Sequence, residues 1–140
     1  MGYLLDTNVV SELRRAQRAH PAVLEWQAPI QADETWLSVI TLMELTLGVE
    51  LKTRKDPRAG SALRDWYENR LKPGFAGRIL PVDAAVAERA AVLQAVRTRP
   101  GNDALLAATA LVHGLTLATR NQRDFAGVPG LAVENPWSTG

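Results

Sequence analysis

Four acidic residues of this chain stand at the ends of apolar runs. Asp6 follows the run at residues 3–5, Glu44 follows the stretch through residues 39 and 40, Asp103 precedes the run at 104–106, and Asp124 lies just past 117–119. An isolated carboxylate in apolar surroundings is strongly disfavoured. Four acids at the edge of a predicted core therefore predict a positively charged group among them, and we expect a bound metal ion.

The ligand types indicate which metal and which chemistry to expect. Carboxylate oxygens without histidine or cysteine suit Mg²⁺ or Mn²⁺ and not zinc or copper. Such ions bridge phosphate oxygens, generate hydroxide from water and stabilise the charge that develops during in-line attack on phosphorus. The pattern therefore favours phosphoryl chemistry.

Each acid also has a local explanation when it is taken singly. Asp6 is placed to cap a helix, and Thr41 with Glu44 fits a capping box. Asp103 stands where a first-turn acid belongs, and Asp124 fits an ordinary loop. The sequence leaves these alternatives open for each acid, whereas the joint pattern favours a site.

The elements that must position these acids alternate along the chain. Five short apolar runs rich in branched residues predict strands at 3–5, 36–40, 79–82, 115–119 and 131–133, and apolar residues with helical spacing lie between them. This alternation predicts an α/β fold with a central parallel sheet that helices cover on both faces. The carboxyl ends of parallel strands collect at one edge, where ligands bind, so we expect the acids to meet there.

Two helices have clear boundaries in the sequence. One is predicted to begin after Asp56, with Pro57 at its first position, and to end at Pro73-Gly74. The other runs from about residue 102 to 113, is apolar almost all round, and is followed by Gly114. We expect the second helix to be deeply buried, and residues 136–140 to form a tail.

Composition limits the remaining possibilities. A chain of 140 residues with 46% hydrophobic residues predicts a single domain, and the formal net charge of +1 gives no overall footprint for nucleic acid or membrane. The absence of cysteine excludes disulfides, thiolate zinc sites and a cysteine nucleophile. The first residues show no basic leader and no apolar run approaches the roughly 18 residues of a membrane span, so we expect a cytoplasmic protein without membrane association.

Four sequence blocks carry a family resemblance. They are Leu4–Leu13, Ser38–Leu45 with Gly48, Asn102–Ala110 and Thr119–Phe125. In content and order they resemble the motifs of PIN-domain ribonucleases, in particular the VapC and FitB type of toxin from bacterial type II toxin–antitoxin pairs. The resemblance covers essentially the whole chain, and it implies a single PIN domain over residues 1–140 with a three-layer α/β/α fold.

The resemblance also implies roles for the acids. Asp6 and Asp103 would be the principal ligands of Mg²⁺ or Mn²⁺, Glu44 a further ligand or the residue that orients the attacking water, and Asp124 the fourth acid. Some relatives of this fold carry an acid where Asn121 stands. Asn121 is therefore expected to supply an amide oxygen or a hydrogen bond while Asp124 carries the charge.

Other residues are expected to support the site or to contact RNA. Asn8 and Thr119 are expected to hold the carboxylates in place, and Arg120 and Arg123 are the best candidates for RNA contact because they lie within the fourth block. Two further basic groups could guide RNA toward an acidic site or simply be solvated. These groups are Arg14, Arg15 and Arg18, and Lys52, Arg54, Lys55 and Arg58.

The resemblance implies an endoribonuclease that cleaves single-stranded RNA or RNA loops, forms a homodimer, and is inhibited by a cognate antitoxin that also binds DNA. The amphipathic helix with Leu63, Trp66, Tyr67 and Leu71 on one face either covers the core or helps to form the dimer and the antitoxin groove.

Rival hypotheses remain. A phosphatase with an aspartyl nucleophile usually has a second aspartate two residues on, where this chain has Asn8, and the acids of a receiver domain cluster earlier in the chain. The alternative from another class is a catalytically silent PIN-like module that binds RNA or protein. His20 and His113 are expected to be structural.

Overall fold

A five-stranded sheet forms the middle layer of the protein, whose computed structural model describes residues 2–138. The strands are β1 (Tyr3–Leu5), β2 (Thr35–Ser38), β3 (Ile79–Leu80), β4 (Thr116–Ala118) and β5 (Val133–Glu134). Their order is β3-β2-β1-β4-β5, and every neighbouring pair is parallel. The chain builds outward from β1 on one side and then returns to its other side with β4, so the topological switch point lies between β1 and β4.

Eight helices connect and cover the described strands. They are α1 (Thr7–Leu13), α2 (Pro21–Gln27), α3 (Val39–Lys55), α4 (Pro57–Trp66), α5 (Lys72–Gly74), α6 (Ala84–Val96), α7 (Gly101–His113) and α8 (Gln122–Phe125). A π-helical turn at Tyr67–Leu71 joins α4 to α5 without a break, and a short 3₁₀ turn, Ala32–Glu34, precedes β2. No helix within residues 2–138 has the length and apolar character that a membrane span requires.

Successive residues of a strand point to opposite faces, and this alternation separates two cores. Leu4 of β1 packs with buried residues of α6 and α7, such as Val86 and Ala107. Leu5 packs on the other face with residues of α1 and α3, such as Val9 and Val49. The sheet therefore has helices on both faces, which confirms the predicted three-layer α/β/α fold.

Most predicted elements are present, and their boundaries shift for local reasons. The run predicted as a strand over 36–40 divides at Ser38, whose side-chain oxygen accepts a hydrogen bond from the Ile40 N–H and caps α3. Val39 and Ile40 therefore belong to the helix although their β-branched side chains favour strands. The predicted strand at 131–133 is observed at Val133–Glu134, so it begins two residues later and ends one residue later than predicted.

The structure confirms the predicted start of the helix after Asp56 and the predicted end of the helix before Gly114. Asp56 accepts a hydrogen bond from the Ala59 N–H at 3.2 Å and caps α4, and Gly114 ends α7 with φ of 65°. The face of Leu63, Trp66, Tyr67 and Leu71 packs against the core, where Tyr67 and Leu71 are buried. This helix therefore covers the core.

Residues 136–138 are not a free tail. Pro136 is fully buried, and Trp137 packs against the core on the α1 and α3 side of the sheet. Asn135 accepts a hydrogen bond from the Trp137 N–H through its side chain and one from the Ser138 N–H through its carbonyl. Burial of the apolar ring and proline explains why the segment packs on the domain; residues 139 and 140 lie outside the described part of the chain.

The α3–α4 hairpin closes over a glycine. A Cβ atom added at Gly60 of α4 would lie 2.4 Å from the Thr53 Cα of α3, and the Thr53 hydroxyl bonds back to the Val49 carbonyl. Only a residue without a side chain lets the two backbones approach this closely.

Candidate active site

Asp6 lies at the centre of the acidic edge, directly after the middle strand. Its N–H donates to the Ala118 carbonyl at 2.9 Å, which continues the β1–β4 pairing by one residue. Its Oδ1 accepts the Thr7 N–H at 2.7 Å and so caps α1, and its Oδ2 accepts the Thr119 hydroxyl at 2.7 Å and the Asn8 amide at 3.5 Å. The capping and the placement at the strand end are therefore two consequences of one turn.

The environment of Asp6 opposes its ionisation. Burial raises the pKa of Asp6, and the charges of Glu44 and Asp124 raise it further, whereas the hydrogen bonds from Thr119 and Thr7 lower it without cancelling the shift. A cation beside this carboxylate would lower the pKa of Asp6, since a positive charge stabilises the ionised form.

Glu44 comes to the same edge from the second turn of α3. The capping-box interpretation of Thr41 and Glu44 is wrong, because α3 begins three residues earlier with Ser38 as its cap. Glu44 is therefore free to reach across to α1, where its Oε1 accepts the Thr7 hydroxyl at 2.5 Å. Thr7 was not among the predicted site residues, although its place beside Asp6 could have suggested it.

Asp103 and Asp124 approach from α7 and α8. Asp103 lies in the first turn of α7 and is half-buried. Burial raises the pKa of Asp103, followed by the charges of Asp124, Asp6 and Glu44, while Arg99 lowers it. Asp124 is exposed and belongs to the short helix α8, so it is not a loop residue. Glu44 and Asp124 are thus close enough to Asp6 and Asp103 to raise the pKa of both.

Three polar residues organise the turn after β4. The Thr119 side chain is fully buried, donates to Asp6, and accepts the Asn121 N–H at 3.0 Å. The Asn8 amide oxygen accepts the Arg120 N–H at 3.2 Å while its nitrogen donates to Asp6. Asn121 therefore reaches this network through its backbone.

Arg99 is a second residue that sequence reasoning did not select. It is buried beside Asp103 and Asp124, and its Nη1 has no hydrogen-bond partner among the described residues. Its backbone is fixed by two hydrogen bonds of 2.8 Å with the Gln94 side chain. No simple sequence pattern identifies such a residue, because it lies in the loop before α7.

The donor set suits a hard divalent cation. Apart from Arg99, the charged groups that act on Asp6 and Asp103 are all carboxylates, and oxygen donors are the ligands that Mg²⁺ and Mn²⁺ prefer. Across residues 2–138, no three acidic or histidine side chains stand close enough to ligate one ion together. Mg²⁺ typically takes only one or two carboxylates and keeps several waters, so a pair of these acids is a sufficient protein contribution.

The predicted basic residues separate into three regions. Arg14, Arg15, Arg18 and Arg120 line one channel that also reaches Glu44. Arg123 is exposed on α8. The other basic group lies at the end of α3 and the start of α4, outside the lining of that channel; its members are Lys52, Arg54, Lys55 and Arg58.

Comparison with known proteins decides the family. The family model of the PIN domain matches residues 3–131. The chain belongs to the PIN domain family. This assignment agrees with the four sequence blocks and removes the aspartyl-phosphatase and receiver-domain hypotheses.

Several relatives match this PIN domain over nearly its full length. The toxin FitB of Neisseria gonorrhoeae is 39% identical and covers 96% of this chain and 97% of its own. The crystal structure of FitAcB from the same organism has a TM-score of 0.87 at 37% identity, with 96% of this chain and 98% of that chain covered. A VapC ribonuclease of Sinorhizobium fredii is 37% identical and covers 96% of each chain.

One chain of a solved toxin–antitoxin complex from Klebsiella pneumoniae has the same fold as this PIN domain. Its TM-score is 0.68 at 29% identity, and the match covers 98% of this chain and 99% of that chain. The relatives of this PIN domain therefore include a named toxin, a named ribonuclease and a toxin bound to its antitoxin.

Proposed function

We propose that this PIN domain is an Mg²⁺- or Mn²⁺-dependent endoribonuclease and the toxin of a type II toxin–antitoxin pair. The observation that carries the proposal is the convergence of four carboxylates at the carboxyl edge of the sheet, where Glu44 and Asp124 raise the pKa of both Asp6 and Asp103, and Asp6 raises that of Asp103. The ribonuclease named among its relatives supports RNA as the substrate class.

The proposed roles follow from the contacts. Asp6 and Asp103 would hold the ion, because they are the two acids whose pKa is raised by burial and by neighbouring carboxylates. A bound ion would supply activated water and offset the charge that develops on the scissile phosphate. Glu44, held by the Thr7 hydroxyl, would orient the attacking water, and Thr119 and Asn8 would fix the Asp6 carboxylate.

The replacement Asp6→Asn tests the proposal. Asparagine caps a helix about as well as aspartate, so the fold should be retained while metal-dependent cleavage of RNA is lost. Asp33→Asn is the matched control, since Asp33 is exposed in the 3₁₀ turn before β2. Cleavage is followed on mixed cellular RNA with Mg²⁺, Mn²⁺ or EDTA, and Mn²⁺ binding is measured separately by calorimetry.

The results separate an enzyme from a binding module. Wild type and Asp33→Asn should cleave RNA only with metal, and Asp6→Asn should neither cleave RNA nor bind Mn²⁺ with wild-type affinity. A wild-type chain that remains inert with both metals on varied RNAs would instead support a catalytically silent module that binds RNA or protein.

A protein partner is the second part of the proposal. Met43, Leu47 and Leu51 recur every four residues along α3 and are each more than half exposed, which is typical of a surface that another protein covers. We expect a homodimer and a DNA-binding antitoxin; the toxin–antitoxin complex among the solved structures supports an antitoxin as partner. Light scattering that shows a monomer at micromolar concentration, together with harmless expression of the chain alone, would contradict this part.

A further inference from the structure

A cavity of about 540 Å³ opens beside Glu44 on the α1 and α3 side of the sheet. Four arginines line it, namely Arg14, Arg15, Arg18 and Arg120, together with the indole rings of Trp66 and Trp137. The cavity and the acidic edge share Glu44, Thr7 and Asn8. A molecule bound in this arginine channel would therefore extend directly to the proposed reaction centre.

The charge of the arginine channel selects an anionic occupant. Its two carboxylates already accept hydrogen bonds, Glu12 from the His20 N–H at 2.7 Å and Glu44 from the Thr7 hydroxyl. In the described part of the chain, none of the four guanidinium groups forms an ion pair. Burial and then the charge of Arg15 lower the pKa of Arg14, so an added anion would relieve repulsion among these groups.

Two of the arginines are stacked on tryptophan. The Arg14 guanidinium lies 5.7 Å from the centre of a Trp66 ring, and that of Arg120 lies 5.1 Å from Trp137. Such cation–π pairs hold the planar group in place and leave its N–H donors free for phosphate oxygens. A guanidinium plane also offers a surface on which an unpaired base can stack.

The arrangement suits a single strand and not a duplex. The cavity volume lies within the roughly 300–1,000 Å³ of a small-ligand pocket, which admits a few unpaired nucleotides. Arg120 is tied to the acidic edge, because its N–H donates to Asn8, which in turn contacts Asp6. The spacing between the stacked arginines and the acids is thereby fixed by the fold.

We propose that the arginine channel binds the single-stranded RNA segment next to the scissile phosphate, with Arg14 and Arg120 as phosphate and base-stacking contacts held by Trp66 and Trp137. The proposal rests on the proposed ribonuclease function and adds the residues that select an unpaired strand. Arg14 and Arg120 are binding and specificity residues in this scheme, and they take no part in proton transfer.

The test measures binding without cleavage. Fluorescent oligoadenylate and oligouridylate of about ten nucleotides, and a GC-rich duplex of the same length, are titrated with the full chain in EDTA at several salt concentrations. Arg14→Gln and Arg120→Gln are compared with Arg89→Gln, an exposed arginine of α6 outside the channel. Circular dichroism melts establish that each variant is folded.

The expected result is specific to the two channel variants. Each should weaken binding of the single strand about three- to tenfold and reduce the slope of log K against log salt by about 0.7, the value for one phosphate contact on a single strand. Arg89→Gln should behave as wild type. Arg14→Lys and Arg120→Lys keep the charge but lack the planar group, so they should keep the salt slope and lose preference for the single strand over the duplex.

Other outcomes would overturn the proposal. Channel variants that bind RNA as well as Arg89→Gln does would contradict it. Channel variants that lose affinity only for a co-purified antitoxin would also contradict it, since the channel would then bind a protein partner. The proposed function is tested separately. A wild-type chain that binds the oligonucleotides through these arginines but does not cleave RNA with Mg²⁺ or Mn²⁺ would support RNA binding by the channel and refute the nuclease function.

Discussion

Replacement of Thr119 by valine is the sharpest test of how the acidic edge is held. Valine matches threonine in shape, so the change removes one hydroxyl from a fully buried position without opening a cavity. That hydroxyl donates to Asp6 at 2.7 Å and accepts from the N–H of Asn121, an exposed residue. A hydrogen bond to a charged group contributes about 1.5–3 kcal/mol, and we expect Thr119→Val to lower the free energy of unfolding at neutral pH by that amount.

The loss should depend on pH in a defined direction. The Thr119 hydroxyl bonds to ionised Asp6 and lowers its pKa, so its removal raises the pKa of Asp6 in the folded state further above the unfolded value. A carboxyl group whose pKa is higher in the folded state than in the unfolded state does not lower the free energy of unfolding below its unfolded pKa. It lowers that free energy as pH rises through its folded pKa. The deficit of Thr119→Val should therefore be largest near pH 7 and shrink to about 1 kcal/mol near pH 4, where only a neutral hydrogen bond is lost.

Urea denaturation at several pH values measures this effect. Thr119→Ser is the matched control: it keeps the hydroxyl and removes one buried methyl group, so it should cost about 1 kcal/mol at every pH. A Thr119→Val deficit that is the same at pH 4 and pH 7, or no larger than that of Thr119→Ser, would refute the assignment of this hydroxyl to the charged form of Asp6.

Two further replacements test packing and the support of Glu44. Gly60→Ala forces a Cβ atom to within 2.4 Å of the Thr53 Cα and should destabilise the protein by about 1–3 kcal/mol in urea denaturation, whereas Gly48→Ala, with open space around the added atom, should be neutral or stabilising by up to about 1 kcal/mol. Thr7→Val removes the hydroxyl that holds Glu44; if Glu44 orients the attacking water, RNA cleavage should fall about 10-fold or more while the melting temperature changes little, and unchanged cleavage would contradict that role.

The architecture could be predicted because its determinants are local and periodic. The strand-to-helix turn at Asp6 combines an apolar run, a capping aspartate and helical spacing, and all three agree on one structure. The same agreement places α7, whose apolar sides and terminal Gly114 are evident in the sequence. Predicted element boundaries were wrong where the folded structure overrode local preference, as at Val39 and Ile40.

The site could be predicted only as a set of acids. Their convergence follows from the parallel sheet, but their partners come from other segments, and no residue spacing reveals them. Thr7 holds Glu44 across two helices, and Arg99 reaches the acids from the loop before α7. The predicted tail failed for the same reason, because the packing of Trp137 beside Arg120 depends on a surface that exists only in the folded protein.

The order in which the chain is synthesised has a consequence for the pairing of β1 with β4. Asp6 is synthesised 113 positions before Thr119, whose hydroxyl fixes it, and Asp124 follows still later. Such distant contacts form only after both partners are available. If the domain is a ribonuclease, the emerging chain carries an incomplete active site. That chain therefore cannot cleave the message or the ribosome that produces it until its last strands have left the ribosome.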